Sequence, residues 1–225
     1  MDEKKEKKKF FILMGFILIG VIILLVFEDG TRIRLEKKYN SLEKITIDSD
    51  LANIEVKYIG SDDINIVVYG KKRDEIIVSE GNKSLKLSKK SSRSFCLLNC
   101  DDKIILYLPK YFKYLNIKTD LGNVDTREVN FEEIIIDSNV GKINIGNVNE
   151  VIINNEIGDT YIKEIDAKGN STISTNTGNV TINNIKNLNV NAESVTGKVN
   201  VSTRNDDSNE YVIDISSEIG DIKVR

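Results

Sequence analysis

From residue 115 onward, apolar and polar positions alternate with period two, the signature of strands that bury one face. The alternation recurs around a glycine. Segments LGNVDT, VGKINI, IGDTYI, TGNVTI, TGKVNV and IGDIKV align on Gly122, Gly141, Gly158, Gly178, Gly197 and Gly220, at intervals of 19, 17, 20, 19 and 23 residues. Five positions before the glycine stand Ile117, Ile136, Ile153, Ile173, Ala192 and Ile215; two after it stand Val124, Ile143, Thr160, Val180, Val199 and Ile222. Each repeat predicts a strand, a bend and a second strand. Glycine suits the bend because, without a Cβ, it lets backbones approach closely. A unit of about 20 residues cannot bury its own apolar face, whereas stacked units can. The pattern predicts an all-β protein, a parallel β-solenoid of about 19–20 residues per coil, regular over 116–225.

Residues 45–115 read as an irregular N-terminal part of the same solenoid. Ile45, Ile47, Ala52, Ile54 and Val56 repeat the offsets, with Ala52 in the glycine's place, and DDINIVVYG, SLKLSKK and KIILYLPK also alternate. The SSRSFCLLNC stretch breaks the rhythm. Its Cys96 and Cys100 fit a disulfide, a redox-active pair or two structural thiols.

The first 44 residues differ in kind. Residues 1–9 form a basic tail with Lys4, Lys5, Lys7, Lys8 and Lys9, and 10–27 are apolar or Gly without a charge. As a helix that run is roughly 27 Å long, close to the hydrocarbon thickness of a bilayer. No A-x-A pattern closes it, and no Cys follows to accept lipid, so it reads as an uncleaved transmembrane anchor. The lysines predict a cytoplasmic N-terminus and an extracytoplasmic remainder, a single-pass protein of the cell membrane. Residues 28–44, with Arg32, Arg34, Lys37 and Lys38, read as a polar juxtamembrane stalk.

Composition narrows the chemistry. Lys and Arg number 32 against 35 Asp and Glu, a net charge of -3, which points away from nucleic acid. There is no His, so the commonest general base and zinc ligand are missing. Two Cys cannot complete a four-ligand zinc site, and no G-G-x-G-x-D repeat signals calcium. The expectation is therefore no enzyme, no catalytic residue, no cofactor and no metal. Glycan hydrolysis would need paired carboxylates, for which Asp120 with Asp125 and Glu156 with Asp159 are the candidates. Stacking in register would instead make an Asn ladder or ion pairs of the positions after glycine, setting Lys142 beside Asp159 and Lys198 beside Asp221. The aromatic group Tyr107, Tyr111, Phe112 and Tyr114 reads as packing where the irregular and regular parts meet.

The IDSDLANIEVKY strand pair, the LPKYFKYLNIKTDLGNVDT passage and the recurring G-[NDK]-[VIT]-x-[IVT] element resemble the putative adhesin family over roughly 45–225. These are bacterial membrane-anchored β-solenoid domains of unknown function. The resemblance implies one N-terminal membrane segment and an association with cell-envelope stress systems, and it brings no catalytic or ligand motif. The expected function is a non-catalytic envelope protein that mediates adhesion or contacts with proteins or cell-wall polymer. The alternatives are an accessory of envelope-stress signalling, a self-polymerising scaffold and a polysaccharide-active β-helix. The last repeat runs to Arg225, so it is expected to end the stack with an open edge that self-associates or docks a partner, unless Lys223 and Arg225 blunt it.

Overall fold

The computed structural model describes residues 31–92 and 102–225, and every regular element among them is a strand. No helix of the described residues is long and apolar enough to cross a membrane. The apolar run 10–27 and the two cysteines lie outside the described residues.

Among the described residues nineteen strands follow in chain order. The irregular part holds β1 (Arg32–Tyr39), β2 (Lys44–Leu51), β3 (Asn53–Tyr58), β4 (Ile64–Gly70), β5 (Glu75–Gly81), β6 (Ser84–Lys90) and β7 (Lys103–Leu108). The Gly repeats hold β8 (Tyr111–Leu121), β9 (Val124–Thr126), β10 (Asn130–Val140), β11 (Ile143–Ile157), β12 (Thr160–Asp166), β13 (Ser171–Thr177), β14 (Val180–Ile182) and β15 (Ile185–Lys186). The chain closes with β16 (Leu188–Thr196), β17 (Val199–Val201), β18 (Tyr211–Ile219) and β19 (Ile222–Val224).

Each coil gives one strand to each of two faces, with a corner residue between them. On one face the parallel ladder runs β6, β2, β8, β10, the end of β11, β13, β18, β16. On the other it runs β7, β3, β9, the start of β11, β12, β14, β19, β17. The eight resulting layers span roughly 34 Å at about 4.8 Å per layer.

The parallel solenoid is present, but its layers do not follow the chain. Strands β2 and β3 make the second layer, β6 and β7 the first, and β8 crosses over to start the third. The same exchange closes the other end, and it corrects the expectation of an open C-terminal edge. The last repeat forms layer seven, between β13 and β16. Both its edges are bonded, since Gly178 N–H donates to Ile219 O at 2.9 Å and Gly220 N–H to Thr196 O at 3.0 Å. Unpaired backbone is costly to leave uncovered, so a strand inserted between two others is the better-satisfied arrangement. The residues that lengthen the interval between Gly197 and Gly220 carry the chain back from layer eight to layer seven.

The near end is closed by antiparallel strands, as β4 pairs with β7, β1 with β4, and β5 with β6. The polar 28–44 segment thus holds a sheet strand, whose Leu35 and Tyr39 pack against the core. Glu80 ties the two faces of this end together by accepting from Lys37 Nζ and Tyr39 Oη, both at 2.9 Å. Burial, with Glu80 beside it, pushes the Tyr39 phenol up to about 12.

At the far end the outer edge of β16 is covered only in part. Asn205 stands in for a strand there, accepting from Val190 N–H through Oδ1 at 2.8 Å and donating Nδ2 to Val190 O at 3.2 Å. Asn205→Ala is expected to lower unfolding free energy by about 1–2 kcal/mol, from two lost hydrogen bonds of ~0.5–1.5 kcal/mol each, read in a urea titration.

Between the faces lies a narrow aliphatic core. Ile47, Ile117, Ile136, Ile153, Ile173 and Ile215 form one buried column, and Ile54, Val124, Ile143, Val180 and Ile222 face it from the other side. Each such side chain contributes roughly 1.5–3 kcal/mol on burial.

Candidate functional site

The corner between the two faces fixes the chemistry of the stack. The N–H after most corner residues meets an Asx side chain of the neighbouring layer: Asn123 N–H donates to Asn53 Oδ1 and Lys142 N–H to Asn123 Oδ1, both at 2.9 Å. The ladder resumes from Asn179 N–H to Asp159, Asp221 N–H to Asn179 and Lys198 N–H to Asp221, at 3.0, 2.8 and 2.8 Å. The expected Asn ladder is therefore real, and its task is to cap backbone donors. Lys198 does lie beside Asp221, but through its N–H; among the described residues neither it nor Lys142 makes the anticipated ion pair.

Three positions before each corner, a polar side chain points inward. Ser49, Thr119, Ser138, Asn155, Thr175 and Ser217 are paired layer to layer and buried. In the first layer the same column ends in Lys89, paired with Ser49. Leu85, Leu87 and Lys89 share the inward parity of β6, so the lysine enters the stack where other layers carry a hydroxyl or an amide.

Lys89 is 0% exposed. Its Nζ donates to Asp102 Oδ2 at 2.6 Å and to Leu51 O at 3.1 Å, and lies 3.3 Å from Asp74 Oδ2. Asp74 sits in the turn between β4 and β5, and Asp102 immediately precedes β7. Asp74 is fixed independently: Lys71 N–H donates to Oδ2 at 2.8 Å, and Ser92 N–H and Oγ both reach Oδ1 at 3.1 Å. Burial pushes Asp74 up, but the N–H groups of Ser92 and Lys71, with the Lys89 ammonium, hold it below the usual aspartate range. Burial raises Asp102 above that range, with Lys89 opposing and Asp74 adding to the shift. One ammonium thus faces two carboxyls in a site closed to water.

The far end presents different chemistry. On β16 and β17, Val195 is 84% and Val199 43% exposed, and the strands carry only Glu193 as a charge. The near-end strand β1 carries five charged residues, which blunt its edge against pairing.

The other residues named from the sequence take structural places. Asp125 is held by the Arg127 guanidinium, which keeps its carboxyl below the ordinary range, and Asp120 accepts from Asn139 Nδ2 at 3.1 Å. These two lie on strands either side of the Gly122 corner, β8 and β9, as Glu156 and Asp159 flank Gly158. Phe112 is buried edge-on to Phe131 at 6.3 Å, as expected of a packing group, whereas Tyr111 is 75% exposed. Among the described residues no group of three His, Cys, Asp or Glu is placed to hold a metal.

One carboxyl on the stack's side titrates unusually. Burial, and then the neighbouring Glu133 carboxylate, raise Glu150 above the usual glutamate range. A raised folded-state value means its contribution is fully present below the unfolded value and is lost as pH rises through the folded one. Glu150→Gln is therefore expected to raise the denaturation midpoint at neutral pH and to leave it unchanged in acid, compared by urea titration at both.

The fold and corner chemistry define the class: a parallel β-solenoid built on a stacked-glycine corner. More particularly, the chain belongs to the Toastrack DUF4097 family, whose model matches residues 42–225. The family resemblance carried by the strand pair and the Gly element holds over that range. The fold is similar to a putative cell adhesion protein from Clostridium sporogenes ATCC 15579, at 14% identity over 87% of this chain and 98% of that one, with a TM-score of 0.48. It is also similar to a putative adhesin from Bacteroides fragilis NCTC 9343, at 17% identity over 87% and 97%, with a TM-score of 0.45. A putative lipid binding protein from Parabacteroides distasonis ATCC 8503 shows 14% identity over 88% and 98%, with a TM-score of 0.29. No curated protein matches the chain.

Proposed function

We propose that this is a non-catalytic bacterial envelope module that contacts other proteins through the far end of its stack. The observation that carries the reading is the asymmetry of the two ends. Strand β1, which follows the apolar run 10–27 in sequence, lies at the charge-blunted near end. The uncharged β17 edge and the exposed Val195 and Val199 lie in the eighth layer, at the opposite end. With 10–27 as a transmembrane anchor and the lysine tail in the cytoplasm, the stack holds that edge roughly 34 Å beyond its own membrane-proximal layer, at about 4.8 Å per layer. An uncovered parallel edge offers backbone donors and acceptors to an extended partner segment, and flanking valines add apolar contact.

The test is in-cell photo-cross-linking of the full-length protein, with the photoreactive residue at Val195 or Val199 and, as control, at Tyr111 on the stack's side. Adducts with outside proteins confined to the far-end positions are expected. Adducts with membrane signalling proteins would favour the stress-signalling role, and adducts with wall polymer or a second copy would replace the proposed partner. No far-end adduct beyond the Tyr111 control would sink the reading.

A further inference from the structure

The Lys89 cluster sets one ammonium against two carboxyls where the other layers carry no charge. Elsewhere in the inward column a neutral Ser, Thr or Asn serves, and Asn155 Nδ2 satisfies the corner by donating to Gly158 O at 2.8 Å. In the first layer a fully buried ammonium is set against two carboxyls, both buried, with no solvent to screen the excess negative charge. The geometry is that of reactants held together: the Nζ lies 2.6 Å from one oxygen of Asp102, and so at most one C–O bond length further from its Cγ. A second carboxyl stands 3.3 Å from the same nitrogen, held by three donors of its own.

We propose that Lys89 and Asp102 condense into an intramolecular isopeptide bond, with Asp74 as the group that moves the protons. Within the pair the proton passes from Nζ to Asp102, leaving a neutral amine and a carboxylic acid. The Nζ lone pair then attacks Asp102 Cγ. Asp74 takes a proton from the nitrogen and delivers it to the departing hydroxyl. The Cγ–O bond breaks, one water leaves, and a secondary amide joins Nζ to Cγ. Asp74 ends as it began, and no oxidant, reductant or co-reactant is consumed. Burial keeps Asp102 toward its protonated form, while the backbone donors keep Asp74 ionised, the starting states that this proton traffic needs. The product replaces two buried charges by one neutral amide. It also closes a covalent ring over residues 89–102, at the near end of the stack. This inference does not depend on the function proposed above.

The test is the intact mass of the full chain, denatured and with its thiols reduced so that Cys96 and Cys100 contribute nothing. A mass lower than the sequence mass by one water is expected, together with a branched proteolytic peptide joining the Lys89 and Asp102 segments. Lys89→Arg should show its full sequence mass. Asp102→Asn should converge on the same final mass as the cross-linked parent, because loss of ammonia from Asn gives the same amide as loss of water from Asp. Asp74→Ala should keep its full mass; a cross-linked Asp74→Ala chain would overturn the role given to that carboxyl. A parent chain at its full sequence mass would overturn the bond itself.

Discussion

A chain cut after Glu210 loses far more than its last repeat. Deleting residues 211–225 removes β18 and β19, the only ladder partners of β16 and β17 among the described residues. Layer eight is then left without a neighbour, although all of its own sequence is still present. The cut takes away Ile213, Ile215, Ile222 and Val224, all essentially inaccessible, and uncovers Leu188 and Val190 as well. At ~1.5–3 kcal/mol per buried side chain, the four deleted residues alone account for roughly 6–12 kcal/mol. That rivals the whole stability of an ordinary domain, about 5–15 kcal/mol. Limited proteolysis should cleave the truncated chain throughout 188–210, and amide exchange there should be unprotected. In a stack that followed chain order, the same deletion would only fray the end and 188–201 would stay protected. Protection of that segment after the cut would show that layers seven and eight are not exchanged.

The reason this arrangement escapes a reading of the repeats is physical. Every coil offers the same hydrogen-bonding edge and the same Ile or Val at the same offsets, so period and parity establish that layers stack but not in which order. The Ile117 to Ile215 column and the Asx ladder from Asn53 to Lys198 were legible for that reason, because they depend only on register. Layer order rests on connections, and the one trace of it is the 23-residue interval before Gly220. The antiparallel β1, β4 and β5 carry ordinary alternation, which does not tell direction. Lys89 was legible and missed. Its parity follows Leu85 and Leu87, and a lysine at an inward position calls for buried carboxyls, which Asp74 and Asp102 supply from distant stretches of chain. The Ala52 corner is explained by its place too. It belongs to layer two, whose neighbour toward the near end is the Asp102 turn, where Asp102 O accepts from Asn53 N–H at 3.0 Å, and not another glycine corner.

That corner column sets up the second large effect. Gly158 has φ at +143°, donates its N–H to Thr177 O at 2.9 Å and accepts Asn155 Nδ2 on its carbonyl at 2.8 Å. A Cβ built on it would overlap the carbonyl oxygen of Gly141 in the layer below. That oxygen cannot swing aside, because it belongs to the backbone and Asn155 also donates to it, at 3.3 Å. The same collision recurs at Gly122, Gly141, Gly178, Gly197 and Gly220, each against the corner of the layer beneath. Relief at one corner would need two layers to part, breaking ladder bonds on both faces. Gly158→Ala is therefore expected to cost more than about 3 kcal/mol, although a glycine-to-alanine change in compatible backbone ordinarily stabilises by ~0.4–1 kcal/mol. Gly60 provides the contrast, with φ at +78° and open space where its Cβ would fall. Gly60→Ala should cost only the left-handed conformation, about 1–2 kcal/mol. An alanine is strained by the backbone at both positions, so in urea titration of the two variants the test of layer spacing is the excess loss at Gly158. Equal losses at both sites would mean that the column yields to a methyl group, and that close approach is not what reserves the corner for glycine.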